Sequence, residues 1–346
     1  MAKTSSQLSN TLDAASWGIA VALLYYVFAQ LALPYAVGLI APSANFPQSA
    51  AGRALMLQPA HEAMTAALGP YFDFAFLPLL AAAAAVHYAK AGARAWVALF
   101  CVAFFVVQPI PLLMMWSWYL DAFVCRNGPI LSRAEAARAF PRFERIEGLW
   151  HAGLRDECER VLSSAADRAC IHDTNPGFTI GESAPLCWRA VHLKHLDRVV
   201  HPRLAEYPLL AEIVADPRVY NAFFSILDPG VGIPAHTGYS KSFLRYHLGV
   251  RVPGRGACLG SSPPFIVVGA ERHEWKEGVG VVFDDMFRHY VENHCSEERV
   301  VLYLDLRRDL HGLARRIDEA MMAYIGAHPV MRSIVDAQHK TQPKNK

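Results

Sequence analysis

Phe243-Leu244-Arg245-Tyr246-His247-Leu248-Gly249-Val250 and Arg299-Val300-Val301-Leu302-Tyr303-Leu304-Asp305-Leu306 decide how the carboxy-terminal part of this chain folds. Side chains alternate between the two faces of a β-strand, so the first stretch sends Phe243, Arg245 and His247 to one side and Leu244, Tyr246, Leu248 and Val250 to the other. The second sends Arg299, Val301, Tyr303 and Asp305 to one side and Val300, Leu302, Leu304 and Leu306 to the other. Each has one wholly apolar face and one that carries charge. From about residue 177 onward, short apolar runs are separated by Gly, Pro and Asp turns, a spacing that predicts a β-rich domain. About 135 residues up to Asp309 suffice to close a small two-sheet barrel. An interior that receives Arg245, His247 and Arg299 must neutralise them, because unpaired buried cations cost several kcal/mol. A bound dicarboxylate would do so.

The first third has a different composition. Residues 1–121 hold only four of the 33 Lys and Arg and four of the 31 Asp and Glu, and residues 14–52, 74–89 and 95–120 carry no charge at all. A bilayer takes roughly 20 apolar residues to cross, so a membrane domain over 1–121 is expected, with segments at about 14–41, 66–89 and 95–120. Trp17, Tyr25, Tyr26, Trp116, Trp118 and Tyr119 are of the kind enriched at membrane interfaces. Arg126, Arg133, Arg138, Arg142 and Arg145 follow the third segment, against Lys90 and Arg94 before it. By the positive-inside rule they place the rest of the chain in the cytoplasm of an integral, bacterial inner-membrane protein, and they offer contacts to anionic headgroups. Pro109 and Pro111 are positioned to break the third segment.

Residues 122–176 read as a charged helical connector, 177–309 as the β domain, and 310–346 as an amphipathic helix and tail, with Leu310, Leu313, Ile317, Met321, Tyr324 and Ile325 at helical spacing. Seven cysteines without a Cys-x-x-Cys pair predict no disulfide framework, and Cys258 and Cys295 read as passive. A formal charge of +2 gives no electrostatic case for nucleic acid. His192 and His195, read at helical spacing, are assigned to the surface or the connector. His273-Glu274 lacks the second histidine of a zinc protease.

Two further histidines stand in distinctive surroundings, His236 in Pro-Ala-His-Thr-Gly and His289 in Phe-Asp-Asp-Met-Phe-Arg-His. With them come Phe-Phe-Ser-Ile-Leu-Asp-Pro-Gly (223–230), Leu-Arg-Tyr-His-Leu-Gly (244–249), Trp-Lys-Glu-Gly (275–278), Val-Phe-Asp-Asp (282–285) and Arg-Val-Val-Leu-Tyr-Leu-Asp (299–305). On these motifs the stretch from Phe224 to Arg308 resembles the aspartyl/asparaginyl β-hydroxylase family of iron(II)- and 2-oxoglutarate-dependent dioxygenases, which includes bacterial lipid A acyl-chain hydroxylases. The resemblance implies a double-stranded β-helix, the jelly-roll or cupin-like barrel, with flanking helices. It makes His236 and His289 the metal ligands and Asp285 an acceptor that orients ligating water. Gly238 stands where other non-haem iron oxygenases have a carboxylate, which this family also lacks. Ser225 and Arg299 would hold the distal carboxylate of 2-oxoglutarate, and Arg245 and His247 the end that chelates iron. Structural ion pairs of Arg245 or Arg299 with Asp228 or Asp284 are the competing reading.

Iron(II), 2-oxoglutarate and oxygen are thus the implied cofactor and co-substrates, with ascorbate supportive. Tyr290, and Gly-Tyr-Ser-Lys at 238–241, depart from the family pattern and leave the substrate open. A membrane-anchored domain favours the acyl chain of a lipid such as lipid A. A peptidyl aspartyl or asparaginyl side chain is the alternative substrate. A non-catalytic sensor of metal or 2-oxoglutarate, or a membrane scaffold, is the alternative of another class. The oligomeric state is not legible in the sequence.

Overall fold

A computed structural model of the chain describes Tyr71 and residues 75–89, 92–107, 109–164, 170–171, 187–258, 262–329 and 332. It divides into two compact units, Met1–Tyr119 and Leu120–Lys346. In the first, the described elements are three helices, α1 (Leu77–Tyr88), α2 (Arg94–Val107) and α3 (Pro109–Tyr119). The expected segment at 14–41 lies outside the described residues, as does part of 66–89. The expected crossing at 95–120 is divided: its 14-residue helix α2 ends before Pro109, and an 11-residue helix begins there. Proline removes a backbone donor and disfavours helical geometry in the residue before it, so a charge-free run need not be one helix. Fourteen residues rise about 21 Å, short of the roughly 30 Å hydrocarbon core. Among the described residues no helix is long and apolar enough to cross a membrane. This overturns the expected transmembrane helices and the assignment as an integral inner-membrane protein.

The second unit is built on ten strands: β1 (Trp188–His195), β2 (Arg198–Val199), β3 (Val219–Leu227), β4 (Ile233–His236), β5 (Phe243–Arg251), β6 (Phe265–Val268), β7 (Glu271–Glu274), β8 (Gly280–Phe283), β9 (His289–Glu292) and β10 (Arg299–Arg307). They form one sheet in the order β2-β1-β3-β10-β5-β8 and another in the order β4-β9-β6-β7. Every pairing is antiparallel. From β3 to β10 the chain passes back and forth between the sheets and ends with β10 inserted between β3 and β5. That is the jelly-roll winding of a double-stranded β-helix.

Alternation along these strands separates two interiors. Leu244, Tyr246, Leu248, Val300, Leu302 and Leu304 face outward from the barrel and pack with Phe224, Ile226 and a helical layer. That layer comes from α4 (Arg133–Ala139), α5 (Phe143–Leu149), α6 (Arg155–Ser164) and α7 (Pro208–Val214). It supplies Phe140, Phe143, Ile146, Leu162, Leu210 and Ile213 to the same core. The segment after residue 121 therefore does more than connect. Three of its arginines make ion pairs within this unit: Arg133 with Glu147 at 2.6 Å, Arg142 with Asp216 at 2.9 Å and Arg145 with Glu212 at 2.6 Å. Between the sheets lies a smaller apolar cluster of Leu227, Ile233, Ile266, Val268, Val281, Phe283 and Val301. The carboxy-terminal helix α8 (Gly312–Ala327) buries Met322 and Ile325, and its Asp318 accepts a 2.5 Å hydrogen bond from Ser242.

Two features of this frame have no local sequence signal. Cys170–Cys187 and Cys258–Cys295 are disulfides, 17 and 37 residues apart in the chain. The partners meet through tertiary pairing, Cys258 and Cys295 as an antiparallel bridge, so the expectation of no disulfides is corrected. Gly249, the last residue of the Leu-Arg-Tyr-His-Leu-Gly motif, lies against the backbone after Trp275, where an added Cβ would stand 2.2 Å from the Lys276 carbonyl oxygen.

Buried Glu157 of α6 accepts the backbone N–H groups of Leu209 and Leu210 at 3.2 and 2.9 Å, capping α7 from another element. Glu157→Ala leaves two donors unsatisfied and is expected to lower unfolding stability by roughly 1–3 kcal/mol, measured by urea titration. Glu157→Gln, which keeps one acceptor, should lose less.

Candidate metal and co-substrate site

His236 ends β4 and His289 opens β9, and the register sets them directly opposite each other, with ring centroids 4.1 Å apart. Their Nδ1 atoms lie 2.8 Å from the Pro234 carbonyl and 2.9 Å from the Phe287 carbonyl. A carbonyl only accepts, so each Nδ1 carries the proton and each Nε2 keeps its lone pair, the tautomer a metal requires. Burial pushes both imidazoles down to about 4, so they are neutral near pH 7. Among the described residues no group of three or more His, Cys, Asp or Glu is poised to hold a metal. The available donor set among the described residues is therefore the two imidazoles.

The neighbouring acidic pair splits its allegiance. Asp284 turns away from the histidines to Lys241 at 2.5 Å, Arg308 at 2.7 Å and Asn127 at 3.0 Å. Lys241 also pairs with Asp121 at 2.5 Å, so this departure from the family loop is a buried structural cation. Asp285 turns the other way. The Gly238 N–H donates to its backbone carbonyl at 2.8 Å, and a Cβ on Gly238 would lie 2.2 Å from its Oδ2. A carboxylate of Asp285 thus fills the space that a side chain at 238 would need.

Arg245 faces the barrel interior, as alternation predicts, but it is not free. Its Nε and Nη2 donate to Asp285 Oδ2 at 2.8 and 2.7 Å, and Nη1 donates to Asp305 Oδ1. Asp305 also accepts from Asn221 Nδ2 at 2.5 Å. Burial works against the Arg245 cation, but the two carboxylates hold it above its ordinary value. Burial in turn raises both Asp285 and Asp305, partly offset by Arg245. Two carboxylates around one guanidinium leave this end of the interior one negative charge in excess.

Arg299 has the opposite imbalance. It is 1% exposed, and its Nη1 donates only to neutral atoms, Ser225 O at 3.2 Å and Ser225 Oγ at 3.3 Å. Burial pushes this guanidinium down to about 9. Trp188 Nε1 also donates to Ser225 Oγ, at 2.9 Å, so two donors occupy the hydroxyl's lone pairs and its proton is left to donate. The Trp275 ring lies 4.7 Å from the guanidinium, and Trp275 Nε1, Arg299 Nε and both His247 ring nitrogens are buried with no hydrogen-bond partner. Burial, and then Arg299, keep the His247 imidazole well below its usual range. These groups make a donor-rich cluster whose missing acceptors a carboxylate would supply.

All seven residues singled out from the sequence lie in this one barrel. His236, His289, Asp285 and Arg245 gather toward one end and Arg299 and Ser225 toward the other, while His247, opposite Tyr303, stands between them with Arg299, His289 and Arg245 as its charged and titratable neighbours. Neither Asp228 nor Asp284 pairs with either arginine: Asp228 takes Arg189 at 2.9 Å. Asp305, Asn221, Trp188 and Trp275 were not assigned roles from sequence. Of these Asp305 has a signal in its place on the charged face of the strand, and Trp275 in opening the Trp-Lys-Glu-Gly motif. His192 proves to be on β1, 5.3 Å from Phe223 on the same inner face, rather than on a helix.

Residues 150–309 match the family model for aspartyl/asparaginyl beta-hydroxylases. The ornithine lipid ester-linked acyl 2-hydroxylase of Rhizobium tropici is 35% identical over 220 residues, which is 63% of this chain and 74% of that protein. The chain belongs to the aspartyl/asparaginyl β-hydroxylase family. The human aspartyl/asparaginyl beta-hydroxylase is 32% identical over 83 residues, 24% of this chain and 10% of its own length. A domain-containing relative from Xenopus tropicalis, aspartate beta-hydroxylase domain-containing protein 2, is 39% identical over 89 residues, 25% of this chain and 22% of its own length. The chain thus spans only a small part of those two animal proteins and most of the Rhizobium one. A prolyl-4-hydroxylase structure from Pseudomonas putida aligns at 12% identity and a TM-score of 0.30, over 47% of this chain and 88% of that one. Family membership makes hydroxylation the reaction class.

In this family member Gly238→Ala should drive the Asp285 carboxylate off Arg245 and lower unfolding stability by roughly 1–3 kcal/mol. Gly254→Ala, with nothing within 4 Å of the added Cβ, is the control and should change stability by under about 0.5 kcal/mol. Equal denaturation midpoints for the two variants would contradict the close contact at 238.

Proposed function

We propose that this protein is an iron(II)- and 2-oxoglutarate-dependent hydroxylase acting on a C–H bond in the acyl chain of a lipid. The observation that carries the reading is the division of charge inside the barrel: an uncompensated guanidinium at Arg299, and a carboxylate excess beside two neutral imidazoles. The first suits a carboxylate and the second a divalent cation. His236 and His289 would hold the metal through Nε2, with Asp285 orienting water bound beside them. Arg299 and the Ser225 hydroxyl would grip the distal carboxylate of 2-oxoglutarate, and desolvation would strengthen that contact. His247 would face the chelating end, and Arg245 has donors left for it once its carboxylates are served. When bound, iron would supply oxygen activation, coupling the conversion of 2-oxoglutarate and oxygen to succinate and carbon dioxide with insertion of hydroxyl into the substrate C–H bond.

The lipid acyl chain is supported by the length of the match to the Rhizobium acyl 2-hydroxylase. The matches to the animal proteins named for aspartate hydroxylation are shorter. Succinate release by purified protein with ferrous iron, ascorbate and 2-oxoglutarate tests the reading, with an acylated amino-acid lipid, lipid A and an aspartyl peptide as parallel substrates. The wild type should be stimulated by one of the lipids, and His236→Ala should release none. Stimulation by the peptide alone would replace the lipid by a protein substrate. Iron and 2-oxoglutarate bound without turnover would point to a sensor instead.

Arg299→Gln should raise the KM for 2-oxoglutarate by about 10- to 100-fold, the loss expected for a hydrogen-bonded charge. Steady-state kinetics check it, and an unchanged KM would remove Arg299 from the co-substrate site.

A further inference from the structure

Asp305 lies one inner-face step from Tyr303 along β10, and the register sets it opposite Arg245 of β5 on one side and Asn221 of β3 on the other. It accepts hydrogen bonds from Asn221 and Arg245 and not from the histidines, yet it decides how Arg245 is shared. Asn221 Nδ2 donates to its Oδ2 at 2.5 Å, and Arg245 Nη1 donates to its Oδ1. With Nη1 held there, the guanidinium turns Nε and Nη2 together onto the single Oδ2 of Asp285, at 2.8 and 2.7 Å. Asp285 Oδ1 is left buried with no hydrogen-bond partner, close to Gly238, where a Cβ would be 2.6 Å away. One oxygen of Asp285 is therefore pinned and the other is available.

Building on the metal and co-substrate reading above, we propose that Asp305, seated by Asn221, is a positioning residue that sets the charge balance of the site. Its carboxylate gives the histidine end its surplus negative charge and keeps the Arg245 charge from competing with Arg299 for the distal carboxylate of the co-substrate. The two ends of the barrel interior thereby stay distinct, with the metal drawn to the His236 and His289 end and the dicarboxylate to Arg299. An arginine with Asp285 as its only partner would form a neutral pair and blur that division.

The proposal makes opposite demands on two ligands, which a merely structural residue would not. Asp305→Asn retains the shape and the contact with Asn221 but removes the charge. Mn(II) affinity, followed by electron paramagnetic resonance without co-substrate, should fall about tenfold, the lower end of what such outer partners are worth. The affinity of metal-free protein for 2-oxoglutarate, measured by calorimetry, should rise, because the surplus negative charge that repels the dicarboxylate is then gone and Arg245 is balanced by Asp285 alone. Asp305→Glu should recover Mn(II) binding. Asn221→Leu keeps the charge while unseating it, and should weaken Mn(II) by a smaller factor, providing the test if Asp305→Asn fails to fold. A fall in both affinities, or an unchanged Mn(II) affinity, in a folded Asp305→Asn protein would overturn the proposal. If the wild type bound neither Mn(II) nor 2-oxoglutarate, the hydroxylase reading itself would fall and this proposal with it.

Discussion

The site depends on one unfavourable placement, the Arg299 guanidinium enclosed among neutral groups. Among the described residues no carboxylate pairs with it, although Asp228 is nearby in sequence to its partner Ser225. Asp228 is committed to Arg189 and to the Cys187 N–H, at 2.9 Å each. Burying an uncompensated cation costs stability that a structural ion pair would not. Such an arrangement persists when the surroundings fix it, and here they do: Ser225 Oγ is held by Trp188, and the Trp275 ring covers the guanidinium. An incoming carboxylate would then replace lost hydration with ready-made donors.

The position of β10 makes this possible. Because it is inserted between β3 and β5, its inner-face residues are flanked on both sides by residues of the same face. Arg299 draws on β3 through Ser225, whereas Asp305, six residues along, draws on β3 through Asn221 and on β5 through Arg245. A single strand thus serves both ends of the interior with opposite charge. Its other face is wholly apolar, packs under the helices and fixes the strand in place. A one-residue slip would send Arg299 and Asp305 into that apolar layer, so the same core packing that stabilises the sheet also specifies the site.

Most of the barrel's interior was legible because strand alternation is a local rule. Arg245, His247, Arg299 and Asp305 fall on one face in the sequence and on one face in the structure. What local reading missed was partnership across long separations. Arg245 was expected to need a ligand for charge balance, but Asp285 and Asp305, 40 and 60 residues away, provide it. The disulfides failed for the same reason, since register rather than spacing brings Cys258 to Cys295. His192 and His195 suggested a helical period, but a β-bulge between His192 and Lys194 shifts the register there. In the first unit, absence of charge does not measure helix length. It measures apolarity only, and where Pro109 starts a new helix the two properties separate.

Gly238 and Asp285 show what replaces a carboxylate at the usual position. A carboxylate borne at 238 would be steered by its own short side chain and strand. Here the space belongs to Asp285, which reaches it from the turn after β8, with its backbone carbonyl held by the Gly238 N–H at 2.8 Å. Its orientation is therefore set by Arg245, and that of Arg245 by Asp305. A fixed covalent position has been exchanged for a chain of ion pairs that spans β8, β5 and β10. The gain is an oxygen that lies beside the imidazole pair without having to be a ligand. The cost is that the end with the two histidines takes its charge from a residue on the central strand, which couples it to the same β10 that carries Arg299.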